Sequence, residues 1–480
     1  HNDMLVIFSR EKIYGYDVSD PESPSQKWKI DINGSATNVR LYKGNIYTVL
    51  KESIDYNTPC PVRPLKYGGK NLEVACTDIY HPVEPVHSDV TYTAVSIDPS
   101  SGEVKDSVSF VGSSRDSTLY MSKGSIYSTY THKKSREMVL MDFLTSKETG
   151  IIPERVLNRI KRLKDYNISD RAKSVQLQVI LEKYYSGLND DEKMEIRNKL
   201  QNEFGNYTKQ HKRKLETTGI VKINYDSGEL EITDTGSVPG SPLNQFSMDE
   251  YEGNLRIATN IDFFGSGSEN DVYVLDENLE VTGSVEGLGK TERIYAVRFI
   301  EDQGYVVTFR RIDPFYVLDL SDPSDPEMKG ELKLPGYSSY LHPLEEDRIL
   351  GIGEEDNKVK VAVFDVSNPE NPKLQDSYFL DEYYSSISQS HHAFLMDEKH
   401  GVFFLPGTKG GYIFSYENGL ELEKTVSIEQ AKRALYINDY LYILAESGIS
   451  VLNENNWNKV EELEFDYEER PYPKPIPGVR

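Results

Sequence analysis

Residues 362–372 read AVFDVSNPENP, and the chain writes nearly the same loop twice more, as YDVSDPESP at Tyr16–Pro24 and LDLSDPSDP at Leu318–Pro326. An alternating apolar run leads into each loop and another leads out: IYGYDVSDPESPSQKWKI, FYVLDLSDPSDPEMKGELKL and VAVFDVSNPENPKLQDSYFL. Asp or Asn ahead of Pro starts turns, and Pro cannot donate to a strand ladder. Apolar alternation on both sides of such a turn describes a β-hairpin. Weaker copies lie at 94–110, 221–233, 272–285, 412–426 and 449–465, so the sequence holds eight hairpins of this kind.

A second kind lies between them. NVRLYKGNIYTVL at 38–50 has counterparts at 117–130, 246–259, 295–309, 340–353, 391–405 and 433–444. Each is an apolar run, a turn with Gly, Asn or Asp, and a second apolar run. MLVIFS at Met4–Ser9 reads as the second half of an eighth, its first strand cut off. Two hairpins per repeat make a four-stranded unit. The last six repeats recur at roughly 45 to 50 residues, the period of propeller blades. The expected fold class is therefore all-β: a β-propeller of four-stranded antiparallel blades, eight by count, or seven if one pair of hairpins belongs to an insertion. It would occupy residues 1–480 as a single domain, with a Pro-rich tail at 467–480.

Residues 146–216 break the pattern and read as an α-helical insertion within the third blade. SDRAKSVQLQVILEKYYSGL opens with a Ser/Asp cap, and Val175, Val179, Leu181 and Leu188 follow at roughly helical spacing. NDDEKMEIRNKLQNEF begins with acids suited to a helix N-terminus and carries Met194, Ile196, Leu200 and Phe204. The segment holds sixteen Lys and Arg against eleven Asp and Glu, a net of +5, which leaves −29 on the rest of a chain of net charge −24. A basic helical insert would either lie on acidic blades or extend as a partner-binding arm.

The acidic balance argues against nucleic acid or an anionic membrane surface as partner. It suits bound cations or a basic partner. No run of about 18 apolar residues is present, so no direct membrane span is expected. Sequons at Asn33, Asn167 and Asn206 permit glycosylation outside the cell but stand near chance frequency for 480 residues. HND followed at once by a strand looks like a trimmed start. Cys60 and Cys76 are the two cysteines, and both lie in the loop-like stretch PCPVRPLKYGGKNLEVAC. The pair reads as a disulfide closing a surface loop, worth roughly 3 kcal/mol by loop entropy. Two unpaired thiols in a cytosolic protein is the other reading.

Several stretches carry a family likeness. GSVPGSPLNQFSMDEYEGNLRIATN, YAVRFIEDQGYVVTFRRIDPFYVLDLSDPSDP and LPGYSSYLHPLEEDRILGIG resemble the signature stretches of secreted archaeal and bacterial proteins with a C-terminal β-propeller domain distantly related to WD repeats. CTDIYHPVEP, and FDVSNPENP followed by SHHAFL, are similar too. The likeness runs from the first strand to about residue 465. The acidic strand segment such proteins usually carry before the first hairpin is missing, and the helical insert matches in position more than in sequence. The resemblance implies an exported, secreted or cell-surface propeller with the disulfide formed. It brings no activity and no catalytic residues.

Propellers bind where inner strands converge. Aligning those strands places Arg40, Arg298, His342, His392 and Arg433 at or within one residue of one position, with His391 beside His392. Such a ring at a channel mouth would focus field toward an anionic ligand or an acidic peptide end. The plainer reading is that each Arg pairs with an acid of the next blade. His391, His392 and His342, helped by Asp397 or Asp249, could be metal ligands, but adjacent strand residues face opposite ways, so one of the His pair at most would point to any site. The Asp-rich loops lack the acid spacing of an EF-hand and are explained by turn formation. No cofactor is required by this reading, and a structural calcium ion is compatible with it.

No GxSxG, HExxH, Walker or dinucleotide-binding glycine motif occurs. The expected function is that of an extracytoplasmic binding or scaffold protein holding a protein, glycan or small anion at the channel mouth or rim. A hydrolase or lyase with a metal-assisted site in the central channel is the alternative. Fold alone does not decide between them.

Overall fold

A computed structural model describes residues 2–82, 88–146, 150–262, 267–310, 313–345 and 347–465. The tail read at 467–480 lies outside the described residues. The strands form eight sheets in chain order, here blades 1 to 8. Blade 1 sets Met4–Phe8, Lys12–Asp17 and Ser25–Ile32 side by side and is extended by Leu65–Tyr67 and Lys70–Asn71. Blade 2 orders Ser35–Tyr42, Asn45–Ser53, Val90–Ile97 and Val104–Gly112, with the short strand Ile79–Tyr80 parallel to the last. Six sheets of four strands in sequence order follow, over residues 119–239, 248–288, 293–334, 337–380, 395–426 and 431–464. Both kinds of hairpin are found where the sequence places them, and the blade count is eight.

The chain divides into two compact units, residues 1–293 with 320–327, and residues 294–319 with 328–480. Blades 1–4 belong to the first and blades 5–8 to the second. The middle strands of each blade carry its core. Val90–Ile97 and Glu269–Leu275 are buried at every position, their Thr, Ser, Glu, Asn and Asp included. Fourth strands such as Glu421–Val426 alternate, because one face meets water. Aromatic side chains fill the layers between neighbouring sheets within a unit: Phe315 of blade 5 stacks on Phe364 of blade 6 at 4.4 Å between ring centroids.

The repeated loop joins Lys12–Asp17 to Ser25–Ile32 in blade 1 and the third strand to the fourth in blades 5 and 6, and its residues do two jobs. The first is local. Asp17 and Asp365 accept from the amides of Ser19 and Ser367 at 2.9 and 3.0 Å. Three residues later Asp20, Asp322 and Asn368 accept from the amides of Glu22, Ser324 and Glu370 at 3.1, 2.9 and 3.1 Å. Two successive Asx turns reverse the chain without help from a ladder. The second job is docking on the preceding blade. A Cβ on Gly330 of blade 5 would stand 2.9 Å from Cδ of Pro372 in the loop of blade 6. A Cβ on Gly283 of blade 4 would lie 2.5 Å from Cδ of Pro326 and 2.6 Å from the Pro323 carbonyl. That carbonyl also accepts from the Thr282 hydroxyl at 3.0 Å. In blades 2 and 6 an acid replaces the glycine: Asp106 accepts from the Leu230 amide at 2.6 Å and Asp376 from the Leu420 amide at 2.9 Å.

The helices enter between Ser125–Lys133 and Glu216–Asn224 of blade 3, whose ends pair directly, Lys133 opposite Glu216. They are α1 (Arg136–Ser146), α2 (Glu154–Asp165), α3 (Asp170–Tyr185) and α4 (Asp190–Leu215). The helical segment thus begins ten residues before the expected 146. Val139, Met141, Phe143 and Leu144 of α1 are all buried, so α1 is apolar on more than one side and gives no helical period. The caps are as expected: the Ser169 side chain accepts from the Ala172 amide, and Asn189 with Glu192 forms a capping box. The buried face of α3 is not. Val175 and Val179 are exposed, while Leu177 and Ile180 are buried against α1 and α2 with Leu181 and Tyr184 beside them. Two apolar stripes run along α3, and the leucine-rich one wins the core. On α4, Ile196, Leu200 and Phe204 pack inward, and Met194 is exposed.

Candidate functional site

Four consecutive blades of the second unit send cationic or imidazole side chains from their first strands, or from the turn just before one. Arg298 comes from Arg293–Ile300 of blade 5, and Tyr340 and His342 from Tyr337–Glu345 of blade 6. His391 and His392 lie on a single 3-10 turn, His391–Ala393, that precedes the first strand of blade 7, Leu395–Asp397. Arg433 comes from Ala431–Ile437 of blade 8. Arg298, His342 and His391 are half-buried, and His392 and Arg433 are exposed, so the cluster meets solvent.

The two adjacent histidines do not face opposite ways. Because they sit on a turn and not on a strand, their rings lie 3.8 Å apart. The signal was present in SSISQSHHA, a polar run without alternation that ends only where Leu395 begins the strand. Two residues outside the aligned position complete the group. Tyr340, two positions from His342 and so on the same face of its strand, places its hydroxyl 3.0 Å from His342 Nδ1. Phe394 packs its ring 4.5 Å from that imidazole.

Burial first, then the Arg298 guanidinium, push the His342 imidazolium down to about 4. The neutral imidazole shares a hydrogen bond with the Tyr340 hydroxyl at Nδ1. His391 is likewise pushed down to about 4, by burial and then by His392, Arg298 and Arg433. His392 is lowered by burial and Arg433. At neutral pH the positive charge of the cluster is therefore carried by the two guanidinium groups, with neutral imidazoles that gain protons if a negative charge arrives.

Arg40 belongs to the first unit, on Ser35–Tyr42, and its guanidinium donates to the carbonyls of Met121 and Ser122 in blade 3. It joins two blades through backbone oxygens, where the plainer reading expected an acid. Of the carboxylates considered as metal ligands, Asp249 pairs with Arg256, and Asp397 lies 2.7 Å from His400 Nδ1. Cys60 and Cys76 are bonded, with Cα atoms 5.6 Å apart. Among the described residues no helix is long and apolar enough to cross a membrane.

Eight sheets, each built on antiparallel neighbouring strands and following one another along the chain, define a β-propeller, and comparison with known proteins agrees. The family model described as Beta propeller domain matches residues 2–457. The chain belongs to that family, and the match takes in nearly all of it and not a C-terminal part alone. It is 47% identical over 465 residues to an uncharacterized protein of Archaeoglobus fulgidus, covering 97% of this chain and 73% of that one. It is 40% identical over 476 residues to an uncharacterized protein of Methanocaldococcus jannaschii, covering 97% and 74%. Among solved structures it is similar to AztD from Citrobacter koseri, at 10% identity, 96% and 94% coverage and a TM-score of 0.44. It is also similar to the periplasmic gluconolactonase PpgL of Pseudomonas aeruginosa, at 9% identity, 80% and 94% coverage and a TM-score of 0.41.

Proposed function

We propose that this propeller is an extracytoplasmic binding protein that holds a carboxylate-bearing ligand, on an acidic peptide or glycan or as a small anion, at the cluster of Arg298, His342, His391, His392 and Arg433. The observation that carries the reading is the gathering of two guanidinium groups and three imidazoles from four consecutive blades in a chain of net charge −24. Guanidinium suits carboxylate because its donors match both oxygens. The acidic surroundings would repel anions elsewhere, so selectivity would be local. Placement outside the cell is supported by the Cys60–Cys76 bond, since such bonds persist in oxidising compartments.

Calorimetric titration with a Glu-rich peptide, an oligogalacturonide and citrate tests this. At least one is expected to bind, and R298Q/R433Q to weaken it by at least about tenfold, the loss of charge-assisted hydrogen bonds. Binding should strengthen as pH falls from 7 toward 5. The sign follows because a bound carboxylate raises the depressed imidazole values, so the complex takes up protons that the free protein does not. Binding that is indifferent to both arginines, or no binding at all, would contradict the proposal.

A further inference from the structure

A second group of chemistry-bearing side chains lies between blades 7 and 8. Asp397 ends the first strand of blade 7, and His400 follows in the turn to Val402–Pro406. Glu454 follows the third strand of blade 8, Gly448–Asn453. A ligand-capable atom from each of the three lies within 4.8 Å of the others. His400 Nδ1 is 2.7 Å from Asp397 Oδ2 and 3.8 Å from Glu454 Oε2. The Asp397 side chain is 1% exposed and that of Glu454 is fully buried.

Glu454 is the observation that points to a ligand. Neither of its carboxylate oxygens has a hydrogen-bond partner, and its backbone is fixed by the hydrogen bond that its N–H donates to the Asp439 carbonyl at 2.9 Å. A buried carboxylate without donors, beside a second buried carboxylate, is strongly disfavoured unless a cation or a proton joins it. Burial and then the Asp397 side chain raise the Glu454 carboxyl to about 7, so a proton shared with Asp397 is the competing occupant.

The far side of the imidazole argues for the cation. His400 Nε2 faces Asp439 Oδ1 at 3.5 Å, and Lys399 pairs with the same carboxylate. Without a cation, Nδ1 shares a proton with Asp397 in its 2.7 Å hydrogen bond. With a cation on Nδ1, the ring proton would move to Nε2 against the Asp439 carboxylate, the arrangement that orients metal-bound histidines. One imidazole with two carboxylates is a mixed nitrogen and oxygen donor set. It suits a divalent transition metal of the zinc class over calcium or magnesium, which prefer oxygen throughout.

We infer that Asp397, His400 and Glu454 form a binding site for a divalent transition-metal ion, fastening the turn of blade 7 to blade 8. The site is separate from the arginine and histidine cluster and does not depend on its proposed role. Calorimetry of the chelator-treated full chain with ZnCl2, with CaCl2 in comparison, tests it. One Zn2+ per chain is expected, with a raised melting temperature on loading. E454Q, close in shape to the natural side chain, and H400Q should each weaken Zn2+ by more than about 100-fold. Cobalt(II) in the unaltered chain gives a second readout that needs no variant: a visible d–d spectrum and a paramagnetically shifted imidazole resonance. Absence of saturable Zn2+ binding, binding unchanged in E454Q, or a preference for Ca2+ overturns the inference and leaves the proton as occupant.

Discussion

Asp17, Asp322 and Asp365 show what a turn residue contributes to the repeated loop. The hydroxyl and amide of Ser19, and then Lys27, hold the Asp17 carboxyl down at about 2. Asp322 and Asp365 are lowered by Ser324 and Ser367 in the same way. A carboxyl lowered on folding contributes stability that is whole above its unfolded value near 4 and is lost as pH falls through the folded one. Urea midpoints should therefore drop between pH 4 and pH 2, and D17N/D322N/D365N should flatten that drop, because Asn keeps the turn and does not titrate. The turns themselves were legible, since Asp, Ser and Pro announce them. The docking of the blade 5 and blade 6 loops through Pro323, Pro326 and Pro372 was not, because the glycines that receive them lie some forty residues away in another blade. Gly330→Val tests that docking. Its side chain would overlap Pro372 and the Pro369 carbonyl, and a loss of about 2 kcal/mol is expected in a urea melt. The Cys60–Cys76 bond was legible from two cysteines close together in a loop-like stretch, with unpaired thiols as the other reading, and from the family resemblance. A thiol assay on denatured, unreduced protein should find no reactive thiol.

At the scale of elements, strands were read well and helices unevenly. Strands repeat, so a weak hairpin such as 449–465 is recognised beside a strong one. The helices occur once each. Caps at Ser169 and Asn189 are local signals and were plain, whereas α1 is buried on several sides and α3 carries two apolar stripes of which one is used. The last turn of α4 rests on blade 4 through ion pairs. Arg213 donates to both oxygens of fully buried Asp271 at 2.8 and 3.0 Å, and Lys212 meets Glu269 at 2.8 Å. Removing one member of a buried pair leaves the other charge stranded. Arg213→Met should cost about 3 kcal/mol in denaturant unfolding, and Asp271→Asn in the same chain should restore part of it. Replacing 134–215 by a short Gly-Asn turn should leave blade 3 intact, because Lys133 already pairs with Glu216. Its melting temperature should be lowered, and recovered in part by Asp271→Asn. Loss of a cooperative melt in both chains would show instead that the helices belong to the core.

At the scale of the whole molecule, the period of the hairpins pointed to blades and their count to eight, or seven with one pair inserted, and the alignment of first strands by itself picked out Arg298, His342, His392 and Arg433. Two things were beyond that alignment. Arg40 occupies the matching position, yet spends its guanidinium on the carbonyls of Met121 and Ser122; backbone acceptors leave no trace in a sequence. His391 joins His392 because a 3-10 turn replaces the expected strand. Burial beside arginine sets the histidines apart from ordinary surface residues, and this gives the most direct test of the anion-binding account. Histidine resonances would be followed by NMR from pH 4 to pH 8, alone and with saturating Glu-rich peptide. The account predicts that His342 and His391 titrate near 4 in the free protein, and that both shift upward when the peptide is present and fall back in R298Q/R433Q. Ordinary titration near 6.5, unmoved by any anion, would contradict it.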